Sequence, residues 1–220
     1  EDTTHPLRNH SGFTTEDDHF LVIAASEGTS GNTLHIKDLT KDNVDFVTLV
    51  DDFDNDSYVI DNLGDKLLIF TNYNAPNKRV VYTQLDNPTK ENWKDFITEK
   101  EYVLESANIA GDKVFANYLK DVQTKIEVYQ LDGSFIRDLE LPGIGICSVI
   151  SGNKEESTAY FSFTSFTTPK CNYKVNTTEL TTELDFKPQI NFTSEDYTTT
   201  QVFYPSKDGT EIPMFITHKK

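Results

Sequence analysis

The run Lys125-Ile126-Glu127-Val128-Tyr129-Gln130-Leu131 places Ile126 and Val128 two residues apart with charged residues beside them. Successive side chains of a β-strand point to opposite faces, so a period of two predicts a half-buried strand. Three other runs share this pattern. The four runs begin at Thr33, Arg79, Lys125 and Cys171, so that 46 residues separate each start from the next. The chain is therefore a repeat with a period of about 46 residues.

A second series of apolar runs precedes the first with nearly the same spacing. These runs begin at Phe20, Leu67, Val114 and Tyr160, at intervals of 47, 47 and 46 residues. Units of roughly 40–50 residues with four strands each are typical of β-propeller blades. Helical repeats of this length would instead show apolar residues at i, i+3 and i+4. We therefore predict an all-β chain that forms a partial β-propeller.

The repeat predicts four four-stranded antiparallel blades at residues 9–52, 53–100, 101–142 and 143–188. The first blade has an irregular or incomplete start. Helix is expected to be scarce, with at most one turn around Lys90–Trp93. The predicted strands are Phe20–Ser26, Thr33–Leu39 and Phe46–Val50; Tyr58–Asn62, Leu67–Asn72, Val80–Leu85 and Trp93–Thr98; Leu104–Ile109, Val114–Leu119, Ile126–Leu131 and Phe135–Leu139; Cys147–Ile150, Ala159–Phe163, Asn172–Val175 and Thr182–Phe186.

Composition excludes several classes of partner. The formal net charge of −16 argues against nucleic acid, whose phosphates need Lys and Arg, and against an anionic membrane surface. No apolar run approaches 18 residues, so neither a membrane span nor a signal peptide is expected. The opening residues Glu1-Asp2-Thr3-Thr4-His5-Pro6 suggest a start inside a longer chain.

Two cysteines, Cys147 and Cys171, are too few for a disulfide scaffold. They fall on the first and third strands of the predicted fourth blade, which puts them roughly 9–10 Å apart. A disulfide needs Cα atoms within about 7 Å. Both cysteines are therefore predicted to be buried free thiols.

Residues 189–220 break the repeat. A connector from Gln189 to Tyr197 leads to two apolar runs, at 201–204 and 212–216, which flank Ser206-Lys207-Asp208-Gly209. Asp-Gly supplies the positive φ of a tight turn, so these runs predict a β-hairpin. Pro205 and Pro213 cannot donate to a sheet, so each is expected at a strand end or an edge.

The hairpin string Tyr204-Pro205-Ser206-Lys207-Asp208-Gly209-Thr210, followed by Ile212-Pro213-Met214-Phe215-Ile216, resembles the opening hairpin of the hydrolase domain in prolyl oligopeptidase (prolyl endopeptidase) family serine peptidases. Weaker matches to propeller segments of that family lie at 49–53, 70–72 and 163–166, the last followed by Pro169. The order and spacing of these matches agree with the hairpin. The resemblance thus covers the whole chain.

In that family a seven-bladed propeller is inserted into an α/β-hydrolase domain. The resemblance implies that the chain holds four of seven blades, the C-terminal four, and the first hairpin of a truncated hydrolase domain. The catalytic Ser, Asp and His would lie beyond Lys220. The segment would then be inactive alone and would gate access to an endopeptidase site that hydrolyses short peptides after proline. Its partners would be the hydrolase domain of the same chain and short proline-containing peptides. No cofactor is expected. The parent enzyme would lie in the cytoplasm or, if it is of bacterial type, in the periplasm.

Two alternative functions are compatible with these observations. A sister oligopeptidase that prefers basic residues has the same architecture, and the match of the hairpin to the prolyl branch favours the prolyl reading. A stand-alone propeller could serve as a binding module or scaffold, because a fold does not fix a function. The trailing hairpin argues against it. An open arc of four blades exposes an apolar face at each end, so self-association is expected.

No catalytic or metal-binding residue is predicted within the chain. Gly28-Thr29-Ser30-Gly31 lacks the closing Gly of a Gly-x-Ser-x-Gly nucleophile motif and is interpreted as a turn. The five histidines show no partner spacing. Asp52-Phe53-Asp54-Asn55-Asp56 resembles the start of a calcium loop, but Ser57 and Leu63 occupy the positions that need Gly and Glu.

One loop carries a candidate site by resemblance. Glu27, Gly28 and Thr29 match two of the four positions of an Arg-Glu-Gly-Cys pattern near the family's active-site cavity, with Thr29 in place of the reactive Cys. These three residues are the predicted substrate-cavity rim. The alternative is a tight loop that needs Gly28. Equivalent loops at 73–78, 120–124 and 164–170 would share the rim and face the hydrolase domain.

Overall fold

The computed structural model of the protein describes residues 3–220. Within that range 18 β-strands form five antiparallel sheets, and single turns of 3-10 helix lie at Lys90–Asn92 and Ser194–Asp196. The first of these turns was predicted and the second was not. None of the described segments is a helix long and apolar enough to cross a bilayer. The predicted all-β class is confirmed.

Four of the sheets are blades, each with its strands in sequence order. Blade one has β1 (Asn9–Thr14), β2 (Phe20–Ser26), β3 (Thr33–Asp38) and β4 (Val47–Val50), and blade two has β5 (Ser57–Leu63), β6 (Lys66–Thr71), β7 (Arg79–Thr83) and β8 (Lys94–Ile97). Blade three has β9 (Val103–Ala110), β10 (Lys113–Lys120), β11 (Gln123–Gln130) and β12 (Phe135–Asp138), and blade four has β13 (Ile146–Cys147), β14 (Thr158–Thr164), β15 (Cys171–Asn176) and β16 (Thr181–Phe186).

Blade one begins with a regular strand, so the predicted irregular start is wrong. Strand β1 pairs with β2 along its full length, from Asn9 opposite Ser26 to Thr14 opposite Leu21. Its sequence, Asn-His-Ser-Gly-Phe-Thr, is exposed throughout and has no apolar alternation. The backbone ladder rather than a buried face specifies this strand, which is why the hydrophobic pattern missed it.

The hydrophobic core lies between blades. One cluster joins Phe20 and Leu34 of blade one to Leu67 and Val81 of blade two. A second cluster joins blades two and three, and a third joins blades three and four. Inner strands such as β6 and β10 are therefore buried on both faces and consist of nearly continuous apolar residues.

Polar bonds repeat between successive blades, from the end of one blade where its second and third strands are connected to the beginning of the next blade. In the first case the Asn32 side chain donates to the Ser57 carbonyl at 2.7 Å and accepts from the Ser57 N–H at 2.9 Å. In the second, Asn77 donates to the Lys100 carbonyl at 2.9 Å. In the third, the Cys147 N–H donates to Thr124 Oγ1 at 3.0 Å. We call these bonds the inter-blade staples.

The fifth sheet is the hairpin, formed by β17 (Tyr197–Pro205) and β18 (Glu211–Lys219). Gly209 has a φ of +87°, and its N–H donates to the Ser206 carbonyl at 3.0 Å. The predicted Asp-Gly turn is confirmed. Pro205 ends β17, and Pro213 lies in a two-stranded sheet where each strand is an edge.

The two thiols are free and buried, as predicted. Cys147 of β13 and Cys171 of β15 each pair with Phe163 of the intervening strand β14. One full strand therefore separates the two sulfur atoms. Burial raises the pKa of the Cys147 thiol to about 12, which makes it a poor nucleophile near neutral pH.

Candidate functional site

The connections between the second and third strands of the four blades form one end of the arc. They comprise residues 27–32, 72–78, 121–122 and 165–170, and we call this set the proximal rim. The connections between the first and second strands form the opposite end. They comprise residues 15–19, 64–65, 111–112 and 148–157, and we call this set the distal rim. The strand order is the same in each blade, so equivalent loops lie at the same end.

The predicted rim residues Glu27, Gly28 and Thr29 lie together on the proximal rim, and all three are exposed. Glu27 is fixed by Arg8, whose guanidinium donates to Oε1 through Nε at 2.8 Å and Nη2 at 2.7 Å. The Arg8 guanidinium carbon lies 5.1 Å from the centre of the Phe53 ring. This loop thus presents one paired carboxylate and a short polar surface.

The glycine that this loop requires is Gly31 and not Gly28. A Cβ on Gly28 would meet nothing within 4 Å, whereas a Cβ on Gly31 would lie 1.7 Å from the Phe53 carbonyl oxygen. Gly31 also has a φ of +76° and donates its N–H to Asp56 Oδ1 at 2.8 Å. The expectation that a tight turn depends on Gly28 is therefore corrected, because the close approach to blade two occurs three residues later.

The hairpin contacts the proximal rim at blades three and four. Gln201 Nε2 donates to the Asp121 carbonyl at 2.6 Å, and Gln123 Nε2 donates to Gln201 Oε1 at 2.9 Å. The rings of Phe166 and Phe215 lie 5.4 Å apart between centroids. These contacts border an apolar cavity of about 300 Å³, lined by Val122, Ile144, Gly145, Ile146, Thr164, Ser165, Phe166 and Phe215.

Sequence reasoning missed the turn at the centre of this contact. Asp121 and Val122 both have positive φ, 49° and 61°, and Val122 is exposed. A β-branched residue in this region costs about 1–3 kcal/mol and persists where its surroundings hold it. The bond from Gln201 to Asp121 is one such support. The turn lacks the Gly or Asn that usually marks this conformation, so no local signal identified it.

The densest group of ionisable side chains surrounds Glu127 in blade three, whose side chain is 2% exposed. Lys125 Nζ donates to Oε1 at 2.5 Å and Tyr102 donates to the same oxygen at 2.9 Å. Tyr129 donates to Oε2 at 2.5 Å, and Lys100 from the segment between blades two and three forms an ion pair with that oxygen. We call these five residues the Glu127 cluster.

In the Glu127 cluster the pKa of the carboxyl is lowered and the pKa of the Tyr129 hydroxyl is raised, so both lie further from neutral pH than usual. Burial alone would raise the pKa of Glu127, but hydrogen bonds from Lys100, Lys125 and the tyrosines lower it to about 2. Burial and the bond to Glu127 raise the pKa of the Tyr129 hydroxyl well above its usual value. A general acid or base needs a pKa near the working pH. The cluster is therefore an ion-pair network that joins the segment between blades two and three to blade three.

The lowered pKa of Glu127 predicts a defined pH dependence of stability. Because the folded carboxyl titrates at about 2 and the ordinary value is 4.5, its contribution is fully present above pH 4.5 and is lost as the pH falls toward 2. The free energies of unfolding of the wild type and Glu127→Gln should therefore differ most above pH 4.5 and converge toward pH 2. Urea titrations at several pH values test this; a difference that grows on acidification contradicts it.

The acidic loop that resembles a calcium site is used for structural contacts. Asp52 forms an ion pair with Lys90 at 2.6 Å, which lowers the pKa of Asp52. Asp56 accepts from the Gly31 N–H. Within residues 3–220, no three His, Cys, Asp or Glu side chains lie close enough to hold a metal ion. The histidines have structural neighbours too: His19 stacks on Phe20 and His35 bonds Thr48 at 3.0 Å.

Inter-blade packing, the common strand order and the hairpin on one rim define this chain as a segment of β-propeller. A family model described as the prolyl oligopeptidase N-terminal β-propeller domain matches residues 1–185. The chain belongs to the prolyl oligopeptidase family.

Named relatives agree with this assignment. The chain is 42% identical over 215 residues to a prolyl endopeptidase of Elizabethkingia meningoseptica, which covers 98% of this chain and 30% of that protein. It is 38% identical over 184 residues to a prolyl endopeptidase of Dictyostelium discoideum, with 78% of this chain and 24% of that protein covered. Similarity thus extends through most of the chain, which spans about a quarter to a third of the length of these relatives.

Solved structures show the same fold. Prolyl oligopeptidase B from Galerina marginata superimposes with a TM-score of 0.89 at 28% identity, over 99% of this chain and 32% of that protein. Oligopeptidase B from Trypanosoma brucei, at 17% identity, superimposes with a TM-score of 0.79 and shows the fold alone.

Proposed function

We propose that this chain is the non-catalytic propeller segment of a prolyl oligopeptidase-type serine endopeptidase, which hydrolyses short peptides on the carboxyl side of proline. The 42% identity to a prolyl endopeptidase over nearly the whole chain supports the class of reaction. The catalytic Ser, Asp and His of the parent would belong to its hydrolase domain. This segment alone should therefore have no peptidase activity.

The contact between the hairpin and the proximal rim is the observation that carries the gating role. Gln201 and Phe215 of the hairpin contact Asp121 and Phe166 of the rim. A domain that included the hairpin would therefore lie against this rim. A hydrolase domain built on the hairpin would then cover the proximal rim. The rim, including Glu27, Gly28 and Thr29, would form one wall of the chamber and limit the size of peptides that enter.

The division of the chain follows from the same proposal. Residues 1–188 would be propeller, with blades at 9–52, 53–100, 101–142 and 143–188, and residues 189–220 would connect to and open the hydrolase domain. The four blades would be the C-terminal four of seven, in a cytoplasmic or periplasmic enzyme. Self-association of the isolated arc stays a prediction.

A chimaeric enzyme tests the proposal. This chain would replace the matching 215 residues of the Elizabethkingia meningoseptica prolyl endopeptidase. The chimaera should cleave a short chromogenic peptide after proline, and this chain alone should not. A chimaera that is folded and monomeric but has no such activity would contradict the proposal and favour a stand-alone binding module.

A single substitution in the chimaera tests the gating role. Phe166→Ser removes an aromatic contact worth about 0.5–1.5 kcal/mol, so cleavage of long peptides relative to short ones should rise by about two- to tenfold. Phe13→Ser is the matched control, because Phe13 is also an exposed aromatic residue but lies in β1 of blade one. Equal ratios in both variants would argue against a size filter at this rim.

A further inference from the structure

One loop of blade four contacts all three other blades. This loop, residues 148–157 of the distal rim, connects β13 to β14. The Lys154 N–H donates to Glu16 Oε1 of blade one at 2.8 Å, and Lys154 Nζ lies 2.8 Å from Asp61 Oδ2 of blade two. The Asn153 carbonyl accepts from the Gly111 N–H of blade three at 2.9 Å. Four blades thus meet at a single loop.

Lys154 is the positive centre of a set of acidic and amide side chains. Its Nζ also donates to the Asn62 carbonyl at 3.0 Å and to Asn62 Oδ1 at 3.2 Å. Asn62 Nδ2 donates to Asp17 Oδ2 at 2.8 Å, and the Glu16 N–H donates to Asp61 Oδ1 at 3.2 Å. The Lys154 ammonium, whose side chain is 19% exposed, therefore pairs directly with Asp61 and acts on Asp17, which Asn62 holds nearby, while Glu16 bonds the backbone N–H of the same lysine.

The titration of Asp17 reflects the same geometry. Burial opposes ionisation, but hydrogen bonds from Asn62, His19 and Thr15 and the charge of Lys154 hold the pKa of Asp17 below its usual value. The Lys154 ammonium attracts the carboxyl groups of Asp17 and Asp61, and its loss would leave both acidic side chains in a partly buried site without their cation.

These contacts differ in kind from those between neighbouring blades. The three apolar clusters join blades one and two, two and three, and three and four. Blade four is not next to blade one or blade two in this series, yet Lys154 bonds to both. The bonds therefore cross the axis of the arc at its distal end.

We propose that Lys154 is a clasp across the propeller axis, which fixes the curvature of the four-blade arc at the distal rim. The apolar clusters set the angle between each pair of neighbours, and small errors in these angles add up along the arc. A bond from blade four to blades one and two directly limits the summed deviation of these angles. The inference does not depend on the proposed peptidase function.

Distance measurements on the full chain test the clasp. Spin labels on cysteines introduced at Asp42 of blade one and Thr178 of blade four, both exposed, report the span of the arc by pulsed electron resonance. Cys147 and Cys171 are buried and are first replaced by alanine. Lys154→Met keeps the length of the side chain and removes the charge. It should shift the distance distribution to longer values and broaden it.

Lys174→Met is the matched control, because Lys174 pairs with Glu183 and Asp185 within blade four. It removes the same charge from the same blade and should leave the distribution unchanged. A Lys154→Met distribution that overlays the wild type overturns the proposal. If Lys154→Met does not fold, Asp61→Asn is measured instead: a wider distribution supports the clasp, and an unchanged one overturns it.

Discussion

Replacing Glu127 with alanine is expected to lower the free energy of unfolding by about 3–5 kcal/mol, the range for removing one partner of a buried ion pair. The Glu127 side chain is 2% exposed and accepts bonds from Lys125, Tyr102 and Tyr129 as well as pairing with Lys100. Without it, two ammonium groups face each other, and the hydroxyl of the buried Tyr129 loses its acceptor.

Urea denaturation measures this effect, with far-UV circular dichroism for the sheets and the fluorescence of the single tryptophan, Trp93, for blade two. Glu183→Ala is the control. Glu183 is an exposed partner of Lys174 at 3.6 Å, and exposed pairs contribute little. A loss below about 1 kcal/mol for Glu127→Ala would show that the cluster does not anchor the segment between blades two and three to blade three.

Replacing Gly31 with alanine is expected to cost about 2–4 kcal/mol. The left-handed conformation of a residue with a Cβ costs roughly 1–2 kcal/mol, and Phe53 must also move, since its carbonyl oxygen lies 1.7 Å from the added Cβ. Displacing Phe53 also disturbs the bond from Gly31 to Asp56, which adjoins the first inter-blade staple.

Gly28→Ala is the matched control three residues earlier in the same loop, because its added Cβ meets nothing within 4 Å. It should change stability by a few tenths of a kcal/mol at most. Thermal unfolding of both variants, run side by side with the wild type, compares them. Similar melting temperatures for Gly31→Ala and the wild type would contradict the assigned backbone conformation.

The periodic parts of the fold could be predicted because each blade repeats the same local pattern. The third strands were predicted to begin at Thr33, Val80, Ile126 and Asn172, and the structure begins them at Thr33, Arg79, Gln123 and Cys171. Strand β1 was missed because it has no buried face. The hairpin turn was predicted correctly because Asp208-Gly209 encodes it locally.

The site was less predictable because its contacts join residues far apart in sequence. A period of two places Glu127 on the face opposite Ile126 and Val128, which a sheet with one wet face would expose. In a propeller the neighbouring blade covers that face, and Glu127 is buried. Likewise nothing near Lys154 in the sequence indicates Asp61, which lies in a different blade. The rim loop at Glu27 was identified by family resemblance alone.

The two buried thiols of blade four, Cys147 and Cys171, make the local opening of that blade measurable. Both cysteines are buried in strands that pair with β14 at Phe163 in one sheet, and neither sulfur forms a disulfide. A thiol reagent can reach them only during the moments when that sheet comes apart. The rate of alkylation therefore measures how fast one blade opens while the rest of the molecule stays folded. No label has to be introduced into the protein for this measurement.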